Sequence, residues 1–438
     1  MLLKTPKTMF MSAVLLLVLV VSLPQYVDGA GTEVVSPDID ERIEDLRERG
    51  DIPSLRLCVV SEDKIEWARG FGEETNLDTP FLIGSAQKVF VAISVMQLYE
   101  GGEIDLDADV SDYLPFEVTN PRFSNSTITP RMLLSHRSGL GVILPYEFCY
   151  DWQGPPSDNG SVYYSPGVIG ITLSDYLSDC LTPNGQFYSV YNWLSWEPGT
   201  QYSYANSGYK LLMALLETVT NQSISEYMQE NIFTPLRMNN TGFKMADIET
   251  PQATPYTRVD GTNNPLPVWD GEYMMRSSVR DMGHLLIALM NMGEFDGEQI
   301  LQTETVEMMM QNTFADDPVS ELFKEPRFKG YGFGLTVRSH GLYGHGGSTV
   351  GFTTDCYFNP ELKKGLVRLS NVNAILTPDE KERNDINDCV TEIEALVLNE
   401  VGLIPPVGIF EISVVMMVVG GSIVITRMII RKRSQKSS

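Results

Sequence analysis

A serine followed three residues later by a lysine sets a hydroxyl and an amine on one face of a helical turn, where the amine can take the hydroxyl proton. That chemistry needs a lysine whose pKa is lowered by removal from water. The sequence holds three such pairs. Ser61 and Lys64 fall in a polar turn, where both side chains would be solvated, and read as structural. Ser207 and Lys210 open a different helix, in the exposed setting of Asn206-Ser207-Gly208. Ser85-Ala86-Gln87-Lys88 differs, because Phe81-Leu82-Ile83-Gly84 leads in and Val89-Phe90-Val91-Ala92-Ile93 follows. This pair stands on the first turn of an apolar helix that must be buried, and a buried lysine is costly without a role. Ser85 and Lys88 are therefore candidate nucleophile and base.

Other chemistries find less support. There is no G-x-S-x-G elbow and no H-E-x-x-H pair, so an α/β-hydrolase or zincin site is not indicated. His136, His284, His340 and His345 are not at metal-ligand spacing, and His136, His284 and His340 read as surface or satisfied core residues. Cys58, Cys149, Cys180, Cys356 and Cys389 form no C-x-x-C pair, which gives no zinc framework. In an oxidising compartment Cys149 and Cys180 could staple the stretch between them, and an odd count leaves at least one thiol free.

The elements that must position the pair follow from periodicity. A helix is expected from Ser36, as cap, to Arg49, with Ile39, Ile43 and Leu46 at helical spacing and Gly50 as its stop. Leu55–Val60 and Ile65–Ala68 read as a hairpin about the turn 61–64. The helix carrying Lys88 runs from Ser85 to Tyr99 and stops at Gly101-Gly102. Further helical patterns lie at 130–135, 205–220, 225–232, 279–292 and 303–311. After about residue 330, strands are expected over 331–337, 351–358 and 364–370, then a last amphipathic helix over 384–399. Strands at both ends with helices between describe a mixed α+β fold, one sheet built from distant segments with an inserted helical lobe.

The chain ends carry a different signal. With 438 residues, 43% hydrophobic and 20% charged, the composition is that of a globular protein and excludes wholesale disorder, a collagen-like repeat or a coiled coil. The formal charge of −25 argues against nucleic acid as a partner, since phosphate binding needs clustered positive charge. Seven of the bases sit at the two ends, so the chain between holds 25 bases against 55 acids. Lys4 and Lys7 precede the apolar run 10–23, as in a signal peptide over residues 1–29. The apolar run 412–426 follows Pro405-Pro406 and precedes Arg427 and Arg431-Lys432-Arg433. This reads as a linker over 401–408, a transmembrane helix over 409–430 and a basic cytoplasmic tail over 431–438. The expected placement is thus a single-pass protein of the cell membrane with residues 37–400 outside. Sequons at Asn125, Asn159, Asn221 and Asn239 fit an exported glycoprotein.

Four motifs in order resemble the serine beta-lactamase and penicillin-binding protein superfamily, its class C branch in particular. They are Phe81 to Lys88 with Gly101-Gly102-Glu103-Ile104-Asp105-Leu106-Asp107 and Val110-Ser111-Asp112-Tyr113-Leu114-Pro115; Thr129 to Leu140; Trp196-Glu197-Pro198-Gly199-Thr200 with Tyr202-Ser203-Tyr204-Ala205-Asn206; and Gly344-His345-Gly346-Gly347-Ser348 with Gly351. The similarity spans about residues 40 to 400. It implies a transpeptidase-like fold, an antiparallel sheet flanked by helices with an all-helical lobe, and a hydrolase domain over 37–400.

The resemblance further implies Ser85 as the acylated nucleophile, with Lys88 and Tyr204 sharing the proton relay. Asn206 would bind substrate and hold Lys88, while His345, Gly347 and Ser348 would line the third motif. The N–H groups of Ser85 and Ser348 would form the oxyanion hole. No cofactor is implied. The third motif departs from the usual Lys-Thr-Gly, so the charge and hydroxyl that would meet a substrate carboxylate are missing. A neutral His345 favours a small-molecule or peptide ester or amide over a beta-lactam or a D-alanyl peptide. A D-alanyl-D-alanine carboxypeptidase, a beta-lactamase and a catalytically silent receptor of the same fold are the competing readings. Residues 146–195 would form an aromatic rim over the pocket or a disulfide-pinned surface loop.

Overall fold

Two segments far apart in sequence, residues 54–72 and 328–370, meet in one antiparallel sheet. The computed structural model describes residues 35–141, 171–266, 273–313, 328–373, 377 and 379–404. Strand β1 (Ser54–Ser61) and β2 (Lys64–Gly72) form the expected hairpin. Five more come from the second segment: β3 (Phe328–Tyr331), β4 (Thr336–Arg338), β5 (Tyr343–Thr349), β6 (Phe352–Asn359) and β7 (Lys364–Ser370). Their order across the sheet is β2-β1-β7-β6-β5-β4-β3. The closure is the β1–β7 ladder, which runs in register from Leu55↔Ser370 to Ser61↔Lys364.

Both faces of this sheet are covered, and the apolar run of β1 is the reason. Leu55, Leu57 and Val59 point to one side, where they pack with Ile39 and Ile43 of helix α1 (Ile39–Arg49) and with residues of a C-terminal helix. Cys58 and Val60 point to the other side, into the main core. Alternation places successive residues on opposite faces, so only a strand apolar at nearly every position can be buried twice.

The main core is built around α2 (Gln87–Glu100), in which Val89 to Met96 are all buried. A helix apolar all round cannot rest on a surface, and α2 is wrapped by α5 (Asn206–Thr220), α7 (Val279–Met290) and shorter helices α3 (Pro130–Leu134), α4 (Leu173–Leu181), α6 (Ile224–Met228) and α8 (Thr303–Met310). Two-stranded ladders, such as Phe81–Leu82 with Arg276–Ser277, tie this lobe together. Helix α9 (Glu380–Glu400) lies with α1 on the outer face. Its buried Glu394 accepts a 2.7 Å hydrogen bond from Arg338 of β4, whose guanidinium stacks 3.9 Å from the Tyr357 ring centre. The fold is the mixed, antiparallel-sheet architecture expected.

Several expectations are corrected. Helix α1 begins at Ile39, with Asp38 rather than Ser36 at its cap. Ser36 lies outside it, its N–H bonded to Glu400 Oε1 at 2.9 Å. The strand expected over 331–337 is a hairpin: Gly332 N–H bonds Leu335 O at 2.8 Å, and Thr336 pairs back to Tyr331. Part of the stretch expected as a rim or surface loop is α4, capped by Thr172, with Leu173, Tyr176, Leu177, Cys180 and Leu181 buried. Ser207, expected exposed, is fully buried.

The single-pass membrane placement is also overturned. Among the described residues no helix is long and apolar enough to cross a membrane. The apolar α2 has 14 residues where a bilayer needs about 20, and the 21-residue α9 is studded with Glu, Asp, Lys and Arg. The segments 1–29, 409–430 and 431–438, residues 405–408 of the expected linker, Cys149 and Asn159 lie outside the described residues. Cys58, Cys356 and Cys389 are buried free thiols.

The placement of α4 is testable through Leu177, which has no exposed surface. Leu177→Ala is expected to lower unfolding stability by about 2–5 kcal/mol in urea titration. A change within about 0.5 kcal/mol, as for a surface residue, would return the segment to a loop.

Candidate active site

Ser85 sits in a 3₁₀ turn, Gly84–Ala86, which opens directly into α2. The turn begins at Gly84 with φ +52°, a left-handed conformation that a side chain resists. Three residues on, Lys88 points back along the helix. Its Nζ donates to Ser85 Oγ at 3.2 Å and to Asn206 Oδ1 at 2.8 Å. Lys88 is only 4% exposed. Asn206 is brought to it by the start of α5, whose cap residue Ala205 is extended, so that Tyr204 and Asn206 flank the helix entrance. The Tyr204 ring centre lies 4.9 Å from Lys88 Nζ, and that of Tyr209 lies 5.7 Å away, both within the range of cation–π attraction.

The third motif lies on β5, pressed against the serine turn. A Cβ on Gly347 would sit 1.9 Å from the carbonyl oxygen of Ile83, and one on Gly84 would sit 2.8 Å from the Ser348 amide nitrogen. No side chain fits at either position, and their absence lets the Ser348 amide stand beside the Ser85 turn. Ser348 is itself exposed, its Oγ accepting a 2.6 Å bond from the buried Asn373. The geometry thus gathers Ser85, Lys88, Tyr204, Asn206, His345, Gly347 and Ser348 in one place. Ser61 and Lys64 lie on the hairpin turn, and Ser207 turns its Oγ to Gly141 O at 3.4 Å.

His345 is buried on β5. Its Nδ1 lies against the carbonyl of Gly346, which can only accept, so the proton is on Nδ1. Nε2 then accepts from the Tyr331 hydroxyl at 3.0 Å. Burial, and next the charge of Lys88, push its pKa down to about 3. The residue is a neutral imidazole and offers no fixed charge to a substrate.

Sequence reasoning passed over His136. It is 1% exposed and its ring centre lies 4.3 Å from that of Tyr204, 4.8 Å from Tyr331 and 5.0 Å from Tyr209. Its Nδ1 accepts the Ala205 N–H at 3.2 Å, which puts the proton on Nε2. Burial first, then Lys88 and His345, hold its pKa well below the ordinary value. Tyr331 and Asn373 were also missed. No spacing rule could have found these residues, because each reaches the site across a long separation in sequence. The dense run of tyrosines around Tyr204 was the one visible sign.

Two buried neutral histidines make stability depend on pH. An unfolded chain returns each to about 6.5, so below that pH the unfolded state binds more protons and stability falls with acidity; above it the contribution is whole. Through His345, urea unfolding is expected to lose roughly 1.4 kcal/mol per pH unit between pH 6 and 4, with His136 acting in the same direction. His345→Gln should flatten the slope by that share, and an unchanged slope would contradict the buried neutral state.

The family model described as Beta-lactamase matches residues 39–388. The chain is similar to the protein flp of Staphylococcus aureus strain N315, 24% identical over 360 residues that cover 78% of this chain and 64% of that one. It is also similar to penicillin-binding protein 4 of Amycolatopsis lactamdurans, 29% identical over 297 residues, 62% of this chain and 68% of that one. It therefore spans less than two thirds of the length of the first of these curated relatives. Among solved structures, the octameric penicillin-binding protein homologue of Pyrococcus abyssi shares the fold at a TM-score of 0.63 and 24% identity, covering 76% of this chain and 73% of that one. The D-amino acid amidase of Ochrobactrum anthropi SV3 does so at 0.60 and 20%, covering 83% and 99%. With a serine turn, a buried lysine and a glycine-lined strand in this arrangement, and a family match over most of its length, the chain belongs to the beta-lactamase family.

Proposed function

We propose that residues 37–400 form a hydrolase domain that cleaves an ester or amide through an acyl-enzyme on Ser85. The observation that carries this is the Lys88 amine, buried and held between Ser85 Oγ at 3.2 Å and Asn206 Oδ1 at 2.8 Å. In its unprotonated form the amine takes the hydroxyl proton as Oγ bonds to the substrate carbonyl carbon. The carbonyl oxygen gains charge and is met by the N–H groups of Ser85 and Ser348. The proton passes from Lys88, with Tyr204 sharing the relay, to the departing alcohol or amine as its bond to carbon breaks. Water then repeats the sequence on the acyl-serine: it loses a proton to the same relay, adds to the carbonyl carbon, and releases the acid as Ser85 regains its proton.

The neutral His345 supports a substrate that carries no carboxylate next to the scissile bond. That favours a plain ester or amide, a class to which the structurally similar D-amino acid amidase also points by its name. The penicillin-binding relatives keep a beta-lactam in the probe set.

Intact-mass analysis after a fluorophosphonate, alongside a panel of chromogenic esters and amides and one penicillin, tests the reading. A single adduct on Ser85 is expected, with turnover on the panel reduced at least about 10³-fold in Ser85→Ala and about 10²-fold or more in Lys88→Gln. An unlabelled Ser85, or full turnover in Ser85→Ala, would end it. Rapid acylation by penicillin with slow release would shift the substrate class to the penicillin-binding reading.

A further inference from the structure

We propose that His136 is a positioning residue for acylation, fixing Tyr204 and Asn206 relative to Lys88 from behind the site. The inference rests on the hydrolase reading above. His136 holds the chain on both sides of Tyr204. Its carbonyl oxygen accepts the Ser203 N–H at 2.8 Å, and its ring Nδ1 accepts the Ala205 N–H at 3.2 Å. Between these two anchors the Tyr204 ring packs on the imidazole at 4.3 Å between ring centres. The next residue along is Asn206, whose Oδ1 holds Lys88. One residue, through its backbone carbonyl on one side and its ring on the other, thus sets the orientation of one relay residue and the placement of the residue that grips the other.

The local structure is costly for a residue with packing as its whole task. His136 has φ +55°, a conformation that non-glycine residues adopt at a loss. Its Nε2 is buried without a hydrogen-bond partner among the described residues, which costs stability in any core. An apolar side chain would fill the same space without that loss. What an apolar side chain cannot supply is an acceptor for the Ala205 N–H. A protonated ring cannot supply it either, because Nδ1–H would face the N–H it now accepts, with Lys88 nearby. The neutral Nε2–H form meets both demands.

Asparagine separates positioning from packing. Its Oδ1 falls where Nδ1 stands, and it is among the few residues at ease with positive φ, yet it lacks the ring. The rate of Ser85 labelling by a fluorophosphonate, kcat and KM on a responsive ester, and the thermal midpoint are measured for wild type, His136→Ala and His136→Asn. His136→Ala, corrected for its folded fraction, is expected to label and turn over about 100-fold more slowly with KM within about threefold, as for a small misplacement of reacting groups. His136→Asn is expected to recover at least tenfold of that loss and to stay within about tenfold of wild type. Should the alanine variant not fold, the asparagine variant decides by that second limit. Wild-type rates in His136→Ala, a loss no greater than the unfolded fraction, or an asparagine variant no faster than alanine would overturn the proposal. Failure of wild-type Ser85 to label is a separate result, which overturns the hydrolase reading and this inference with it.

Discussion

The Lys88 side chain ends within hydrogen-bond reach of Ser85 Oγ and Asn206 Oδ1 while almost wholly out of water. An amine in such a place loses its hydration and must be compensated by polar groups and ring faces brought to it. Helix α2 can carry it because the buried run Val89 to Met96, apolar but for Ser94, anchors it through the centre of the lobe. Asn206 and the faces of Tyr204 and Tyr209 supply the compensation. The two histidines stay neutral in part because the same amine stands beside them.

The second constraint is steric. The site is assembled from the inserted lobe and the far end of the sheet, so its precision depends on how closely β5 approaches the serine turn. Gly84 and Gly347 allow an approach that any Cβ would block. The sheet that carries β5 is itself closed by the β1–β7 ladder, joining residues more than 300 apart. The strands on either side of β5 are tied together by Arg338 of β4, which bonds Glu394 of α9 and stacks on Tyr357 of β6.

What the sequence made legible was local. The Ser85–Lys88 pair, the α2 run and the β1–β2 hairpin each declare themselves within a short window, because helix faces and strand alternation are short-range patterns. The 331–337 hairpin did not, since Gly332-Phe333-Gly334-Leu335 alternates like a strand while folding as a turn. Helix α4 was hidden by its neighbours, a Tyr-, Gly- and Pro-rich stretch that reads as loop. His136 was dismissed because its meaning lies in contacts with residues 66 to 195 positions later. The Ser207–Lys210 pair was set aside for its neighbours in sequence, yet Ser207 is buried and excluded for a different reason: its hydroxyl is turned to the Gly141 carbonyl.

Acylation as proposed requires one spatial relation, that the Ser348 amide and the Ser85 turn face the same reacting oxygen. A crystal structure of the protein after reaction with a fluorophosphonate tests it directly. The predicted result is phosphorus bonded to Ser85 Oγ, with its phosphoryl oxygen about 2.7–3.1 Å from both the Ser85 and Ser348 nitrogens. An adduct on another residue, or a phosphoryl oxygen turned away from Ser348 toward solvent, would contradict it.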